Sequence, residues 1–187
     1  MVITVDLQKM LKVVSNIFIA FGLVLLLFVG YKVWEENNPA RLSFDSFYPL
    51  SVPQEFNLES IEIPSISINL PIFPSKIENG RWESTKKGVS YLLTSPTPGE
   101  VGNSILYGHD FPNLLGNLPK IKPGDEIFVR YKNANPKKFI VEYTQVVSPK
   151  DSSVLNQTQD SRITLYTCTG FLDSKRFIAV ALFKTIE

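Results

Sequence analysis

An apolar run near the amino terminus is the feature that most constrains how this chain can fold. Residues 13–33 contain no acidic side chain, and 14 of these 21 residues are Val, Ile, Leu or Phe. As an α-helix, a run of this length spans roughly 32 Å, which matches the hydrocarbon thickness of a bilayer. The apolar side chains contribute about −0.3 to −0.6 kcal/mol each to insertion and outweigh the polar Ser15 and Asn16. The sequence therefore predicts a transmembrane helix over residues 13–34.

Two other interpretations of this run stay open, a buried core helix and a cleaved signal peptide. The exit from the run, residues 30–36, lacks the small-x-small pattern of a cleavage site, so we favour an uncleaved signal anchor. Lys9 and Lys12 precede the run and acidic residues follow it. The positive-inside rule therefore favours a cytoplasmic tail over residues 1–12 and an extracytoplasmic body, as in a single-pass protein of the cell membrane.

Charge and cysteine content narrow the class of the remaining chain. The 19 basic and 18 acidic side chains nearly balance, which gives no reason to expect nucleic acid or a strongly acidic surface as a partner. The sequence has one cysteine, so no internal disulfide can form and an exported domain must rely on its core. About 130 residues follow the anchor and linker, which is enough for such a core.

A segment without periodic pattern separates the apolar run from the rest. Asparagines and prolines punctuate residues 35–59, and this composition is typical of a linker. Three aromatic residues, Phe44, Phe47 and Tyr48, are too apolar for a purely solvated tether. We expect these three to dock on the folded domain, which we assign to residues 60–187.

The domain after residue 60 has the pattern of short strands joined by turns. Runs of β-branched and aromatic residues alternate with turns rich in Pro, Gly and Asn. The predicted strands cover 61–70 with a break at Pro64, 103–107, 127–131, 139–147, 162–167 and 176–184. Short helical turns are expected only around residues 114–118 and 151–155. This pattern predicts an all-β barrel or sandwich.

The single histidine and the single cysteine each end a predicted strand. SILYGH ends at His109 and ITLYTC ends at Cys168, and a strand end places a side chain on the rim of a barrel. A thiol there can act as a nucleophile when an imidazole takes its proton. Arg176 opens the next strand eight residues after Cys168, so a folded-back loop would bring a guanidinium beside the thiol. From composition alone, a buried structural cysteine and an ordinary histidine remain the alternatives.

The motifs around these residues resemble those of the sortase family. Residues 164–168 read TLYTC and match the family's TLxTC signature at every fixed position. Residues 108–109 resemble the family's histidine motif, and Arg176 stands where the family's arginine stands relative to its cysteine. The stretch LPKIKPGD over residues 118–125 also resembles a family pattern. The resemblance covers about residues 60–183 in the family's order.

The resemblance implies a fold and a chemistry. The fold would be a sortase-type β-barrel of about eight strands with few short helices, behind an N-terminal transmembrane helix. Cys168 would cleave an LPxTG-like sorting signal and form a thioacyl enzyme. His109 would protonate the leaving amine and later deprotonate the incoming amine, while Arg176 would bind substrate and stabilise the tetrahedral intermediate.

The resemblance also implies partners. These are surface proteins with a C-terminal sorting signal, and an amine acceptor from a peptidoglycan precursor or a pilin-like protein. Two other functions stay open, a membrane-tethered cysteine peptidase that releases its substrates to water and a non-catalytic, sortase-like binding module. No cofactor is expected: some sortases bind calcium, but the sequence holds no acidic cluster dense enough to indicate it.

Three further features have two interpretations each. Asp110 could orient the imidazole of His109 or be a solvated acid, which we favour. Thr167 could help to position substrate or simply pack its methyl group in a strand. Residues 148–161 occupy the place of the family's specificity loop, but their polar composition equally suits a plain surface loop.

Overall fold

The computed structural model describes residues 7–36, 39–44, 56–78 and 81–184. The chain divides into two compact units, with the boundary between Asn38 and Pro39. The first unit is helical and the second unit contains the sheet. The sequence-based boundaries at residues 12, 34 and 59 stay predictions, and the structure divides the chain at a different point.

The first unit contains one long helix, α1 (Leu7–Glu36). It begins before the predicted start at residue 13 because the preceding lysines and leucines are also good helix formers. Within it, Lys9–Trp34 is long and apolar enough to cross a membrane, and none of this stretch is buried against other described residues. By length and composition α1 is therefore a candidate membrane span.

The second unit is built from ten strands. They are β1 (Leu58–Ile63), β2 (Ile68–Ser75), β3 (Ile77–Glu78), β4 (Arg81–Trp82), β5 (Val89–Leu92), β6 (Gly102–Gly108), β7 (Glu126–Tyr131), β8 (Ala134–Val147), β9 (Ser161–Thr169) and β10 (Lys175–Lys184). Eight of them close into a barrel in the order β1-β2-β5-β6-β9-β10-β8-β7, while β3 and β4 form a separate two-stranded sheet. The predicted all-β barrel of about eight strands with few short helices is confirmed.

Local sequence explains how the strands begin and end. The predicted break at Pro64 is a 3-10 turn, Pro64–Ile66, which is followed by a left-handed Ser67 between β1 and β2. The expected helical turns are the 3-10 segments Leu115–Lys120 and Ser152–Leu155. The side chain of Asp151 caps the second one by accepting a hydrogen bond from a backbone N–H.

Two of the barrel's strand pairs are parallel. β2 pairs with β5 and β6 pairs with β9 in this way, and the other barrel pairs are antiparallel. A parallel pair needs a long crossover connection, and the connection from β6 to β9 includes β7 and β8. As a consequence, the carboxyl ends of β6 and β9 lie at the same edge of the barrel.

The core has two layers because successive side chains of a strand point to opposite faces. One cluster fills the barrel with side chains from all eight strands, and on β9 it includes Ile163 and Leu165. The other covers the outer face of β6, β9 and β10, and on β9 it includes Tyr166 and Cys168. The thiol therefore belongs to the outer layer.

Part of the predicted linker belongs to this outer layer. We name residues 39–44 the strap; it begins with the 3-10 turn Pro39–Leu42. Leu42 and Phe44 are buried against β6, β9 and β10, which confirms the expectation that Phe44 docks on the domain. Phe47 and Tyr48 lie outside the described residues.

Candidate active site

The three predicted site residues lie at the ends of three adjacent strands. In the antiparallel β9–β10 pair, Arg176 is directly opposite Cys168. Directly paired residues project to the same face of a sheet. In the parallel β6–β9 pair, Gly108 is opposite Thr167, so His109 and Cys168 follow at neighbouring strand ends. The fold brings the three residues together as the sequence pattern predicted.

Thr167 joins the two strand ends that carry the imidazole and the thiol. Its hydroxyl is fully buried and donates a 2.8 Å hydrogen bond to the backbone carbonyl of Gly108. Thr167 therefore does more than pack its methyl group, and its hydroxyl faces the neighbouring strand. The bond fixes the last residue before His109 against the last residue before Cys168.

The thiol of Cys168 is covered. Only 1 % of the residue is exposed, and Sγ donates a 3.1 Å hydrogen bond to the backbone carbonyl of Arg41 in the strap. Burial raises the pKa of Cys168 to about 12, although the positive charges of Arg176 and Arg41 act in the opposite direction. In this conformation the sulfur is a protonated thiol at neutral pH.

The imidazole of His109 is also held uncharged. It stacks on Phe111 with ring centroids 5.0 Å apart, and its Nε2 lies 3.3 Å from the hydroxyl of Ser84. Burial lowers the pKa of His109 to about 4, and the charges of Arg41 and Lys86 lower it further. Its Nδ1 has no hydrogen-bond partner among the described residues. The ring can therefore accept a proton once a suitable donor reaches it.

The guanidinium of Arg176 is buried and bound mainly by backbone carbonyls. One terminal nitrogen donates to the carbonyls of Asp173 and Lys175, at 2.9 and 3.0 Å. The other donates to the carbonyl of Ser43 at 3.1 Å, and the cation lies over the ring of Phe44. Its Nε has no partner within the described part of the chain. These donors are suited to a carbonyl or oxyanion.

Two residues that sequence reasoning missed complete the site. Arg41 of the strap binds Asp173 through Nε at 2.6 Å and Asp110 through a terminal nitrogen at 2.9 Å. Asp110 is therefore engaged by a cation rather than simply solvated. Asp173 and its neighbour Leu172 have φ values of 55° and 51°, a left-handed conformation that costs a non-glycine residue energy. That turn presents the carbonyl of Asp173 to Arg176 and its carboxylate to Arg41.

The signals for these two residues differ in strength. Asp173 lies in the short loop between Cys168 and Arg176, so its proximity follows from the loop that the sequence predicts. Arg41 lies in a segment with the composition of a linker, and nothing local predicts its contacts. Among the described residues, no group of three His, Cys, Asp or Glu side chains is placed to hold a metal ion. The absence of a cofactor stays a prediction.

A thiol, an imidazole and a guanidinium at adjacent strand ends of a closed barrel are the groups that covalent acyl transfer requires. The sortase domain family model matches residues 61–183, and the chain belongs to the sortase family. The chain is similar to sortase A of Listeria monocytogenes, with 31 % identity over 132 residues that cover 68 % of this chain. The match covers 57 % of that relative, so the chain spans little more than half of its length.

Solved structures give the same picture. The crystal structure of Listeria monocytogenes sortase A superposes with a TM-score of 0.57 at 29 % identity, covering 69 % of this chain and 88 % of that one. The structure of a Clostridium perfringens sortase D5 transpeptidase superposes with a TM-score of 0.58 at 26 % identity, covering 69 % of this chain and 79 % of the other. Both likenesses extend over the barrel's share of the chain.

Proposed function

We propose that this protein is a membrane-anchored cysteine transpeptidase that joins surface proteins to an amine acceptor. Cys168 attacks the scissile carbonyl of an LPxTG-like sorting signal, and the leaving amine takes a proton from His109. The incoming amine then gives its proton to His109 as it attacks the thioacyl carbonyl. Arg176 stabilises the negative charge on the tetrahedral oxygen in both steps.

The observation that carries this proposal is the strand register around the thiol. Arg176 pairs with Cys168 across β9–β10, and the tie from Thr167 to Gly108 sets the end of β6 beside them. The unpartnered Nδ1 of His109 and Nε of Arg176 add support, because buried polar atoms without partners are uncommon outside sites that receive a ligand.

The remaining features of the proposal come from the helix and the family. The apolar helix α1 would hold the barrel at the cell membrane, with the barrel on the extracytoplasmic side. A peptidoglycan precursor or a pilin-like protein would supply the amine. No cofactor is assigned to the reaction.

One observation favours a second candidate, a non-catalytic binding module. The thiol is almost completely buried and its pKa is raised to about 12, as for a structural cysteine. A cysteine peptidase that uses water as acceptor shares the same site and differs only in its product. These functions are separated by what the protein makes.

The test is product analysis by mass spectrometry. The full chain in detergent micelles is incubated with a library of LPxTG-like peptides and a short glycine amine, beside a Cys168→Ala variant. Amine-capped peptides that are absent with the variant are expected. Free acids alone would support the peptidase, and equal products from both proteins would exclude Cys168 as the nucleophile.

A further inference from the structure

The strap blocks the site in the conformation that the structure shows. Cys168, His109 and Arg176 are 1 %, 5 % and 3 % exposed. A peptide must bring its carbonyl carbon into contact with Sγ before the thiol can attack it. The strap therefore has to leave the thiol before any substrate is bound productively.

The strap contacts the site through its backbone, as a bound peptide would. Three consecutive carbonyls accept hydrogen bonds: that of Arg41 from Cys168, that of Leu42 from the hydroxyl of Tyr166 at 3.0 Å, and that of Ser43 from Arg176. The thiol and the guanidinium, which would meet the carbonyl of a substrate, thus bind carbonyls of the chain itself. Strap and substrate compete for the same donors.

The side chain of Arg41 fastens the strap across the site. Its guanidinium bridges Asp173 and Asp110, and it lies 5.6 Å from the ring centroid of Phe111. The side chain is 8 % exposed, so both ion pairs are shielded from water on the side of the arginine. Charge-assisted hydrogen bonds of this kind are about twice as strong as neutral ones. Arg41 is the polar fastening, while Leu42 and Phe44 are its apolar seat.

We propose that the strap is an intramolecular inhibitor, held by Arg41 on Asp110 and Asp173, and that its release precedes substrate binding. This inference rests on the proposed function for the roles of Cys168 and Arg176. A tethered competitor has a high effective concentration, on the order of millimolar for a short linker. A weak fastening is therefore sufficient to keep the site closed until a peptide that carries the sorting signal displaces it.

A purely structural strap is the rival explanation. Because Leu42 and Phe44 complete the outer core layer, the strap could stay docked for as long as the barrel is folded. The two explanations differ in one measurable respect. A releasable strap exposes Cys168 by local opening, whereas a permanent strap exposes it only by global unfolding.

The first test needs no variant. Cys168 is the only cysteine, so the rate at which iodoacetamide alkylates the full chain in detergent micelles reports its exposure alone. At low urea concentrations we expect a rate that is nearly independent of urea, since a local opening uncovers little surface. A rate that follows urea with the full slope of global unfolding, measured by circular dichroism, would overturn the proposal.

The second test is Arg41→Ala, with Arg130→Ala as the matched control. Arg130 makes a comparable 2.7 Å ion pair with Glu62, on β7 and β1. We expect Arg41→Ala to raise the alkylation rate roughly 10- to 100-fold, the factor that losing hydrogen bonds to a charged group produces. Arg130→Ala should leave the rate unchanged. Thermal unfolding of each variant confirms that the barrel is intact.

The sign of this effect excludes a simple change in thiol acidity. The charge of Arg41 lowers the pKa of Cys168, so its removal alone would slow alkylation by leaving less thiolate. Acceleration therefore reports uncovering. A folded Arg41→Ala protein that is alkylated at the wild-type rate or more slowly would overturn the proposal. Faster alkylation without any peptide product would instead uphold the strap and overturn the proposed function.

Discussion

At the scale of single residues, burial decides the protonation state of the candidate catalytic pair. The pKa of Cys168 is raised to about 12 and that of His109 is lowered to about 4, in both cases chiefly by burial. Between these values the site holds a neutral thiol and a neutral imidazole. Release of the strap would let water in and move both pKa values towards their ordinary range, which favours proton transfer from sulfur to nitrogen.

The shifted pKa of His109 predicts how stability depends on pH. Above pH 6.5 the imidazole is neutral in both the folded and the unfolded chain and contributes nothing. As the pH falls from 6.5 to about 4, the unfolded chain binds a proton first, so stability is lost, by about 3 kcal/mol at most. Urea unfolding at pH 7 and pH 4.5 should show a smaller loss for His109→Gln than for the wild type. Equal losses would mean that His109 titrates normally in the folded protein.

The role of Arg176 as oxyanion donor predicts a kinetic effect. Arg176→Ala should lower kcat/KM by roughly 100-fold or more, the loss seen when one such donor is removed. The substitution also frees the strap at Ser43, which would by itself improve access to the site. A net fall therefore points to chemistry, and Arg176→Lys tests whether charge without the planar fork suffices. Activity within about twofold of the wild type would demote Arg176 to a structural role.

At the scale of elements, the ends of β6 and β9 position the site. Their parallel register sets Gly108 opposite Thr167, and the buried hydroxyl of Thr167 completes that junction. Farther along the same strand pair, Thr164 makes a similar buried bond, of 2.7 Å, to Asn103. The two threonines therefore form a matched pair, one beside the site and one remote from it.

We expect both Thr167→Val and Thr164→Val to lower the free energy of unfolding by about 1–3 kcal/mol, because each leaves a buried acceptor unpaired. Only Thr167→Val should also lower kcat, since only that bond aligns the strand ends that carry His109 and Cys168. Urea unfolding and steady-state kinetics on the two variants check this. Equal kcat values for the two would show that the junction is merely structural.

The strands themselves were predictable, and their pairing was less so. Alternating side chains in β7 and β8 and the breaks at Pro64 and Gly170 are local signals, so the strand positions followed from the sequence. The pairing of Arg176 with Cys168 also followed, because a short loop joins β9 and β10. The parallel pairing of β6 with β9 did not, since it spans a crossover that no local pattern records.

At the scale of the whole molecule, the strap shows where sequence reasoning stopped. Its contacts join residues far apart in the chain: Arg41 is 69 positions from Asp110 and 132 from Asp173. Its composition indicated a linker, and only the apolar Phe44 hinted at docking. Contacts of this kind depend on the finished fold, because the surface that receives the strap exists only after β6, β9 and β10 have come together.

The candidate span in α1 makes a prediction about the full chain. Arginines at both Leu25 and Leu26 should cost about 5–7 kcal/mol at the centre of a bilayer and offset most of the insertion energy. Arginines at Met10 and Leu11, near the end of the helix, should be tolerated because their side chains can reach the interface. Carbonate extraction of membranes should release the first variant and retain the second. Retention of both would argue against a span formed by this helix.

The most direct test of the central claim is the intact mass of the protein during turnover. The full chain is mixed with an LPxTG-like peptide, quenched in acid and digested for peptide mapping. The account predicts an added mass equal to the acyl fragment of the peptide, carried by the segment that contains Cys168 and absent in Cys168→Ala. Product formation without this adduct, or an adduct that persists in Cys168→Ala, would contradict it.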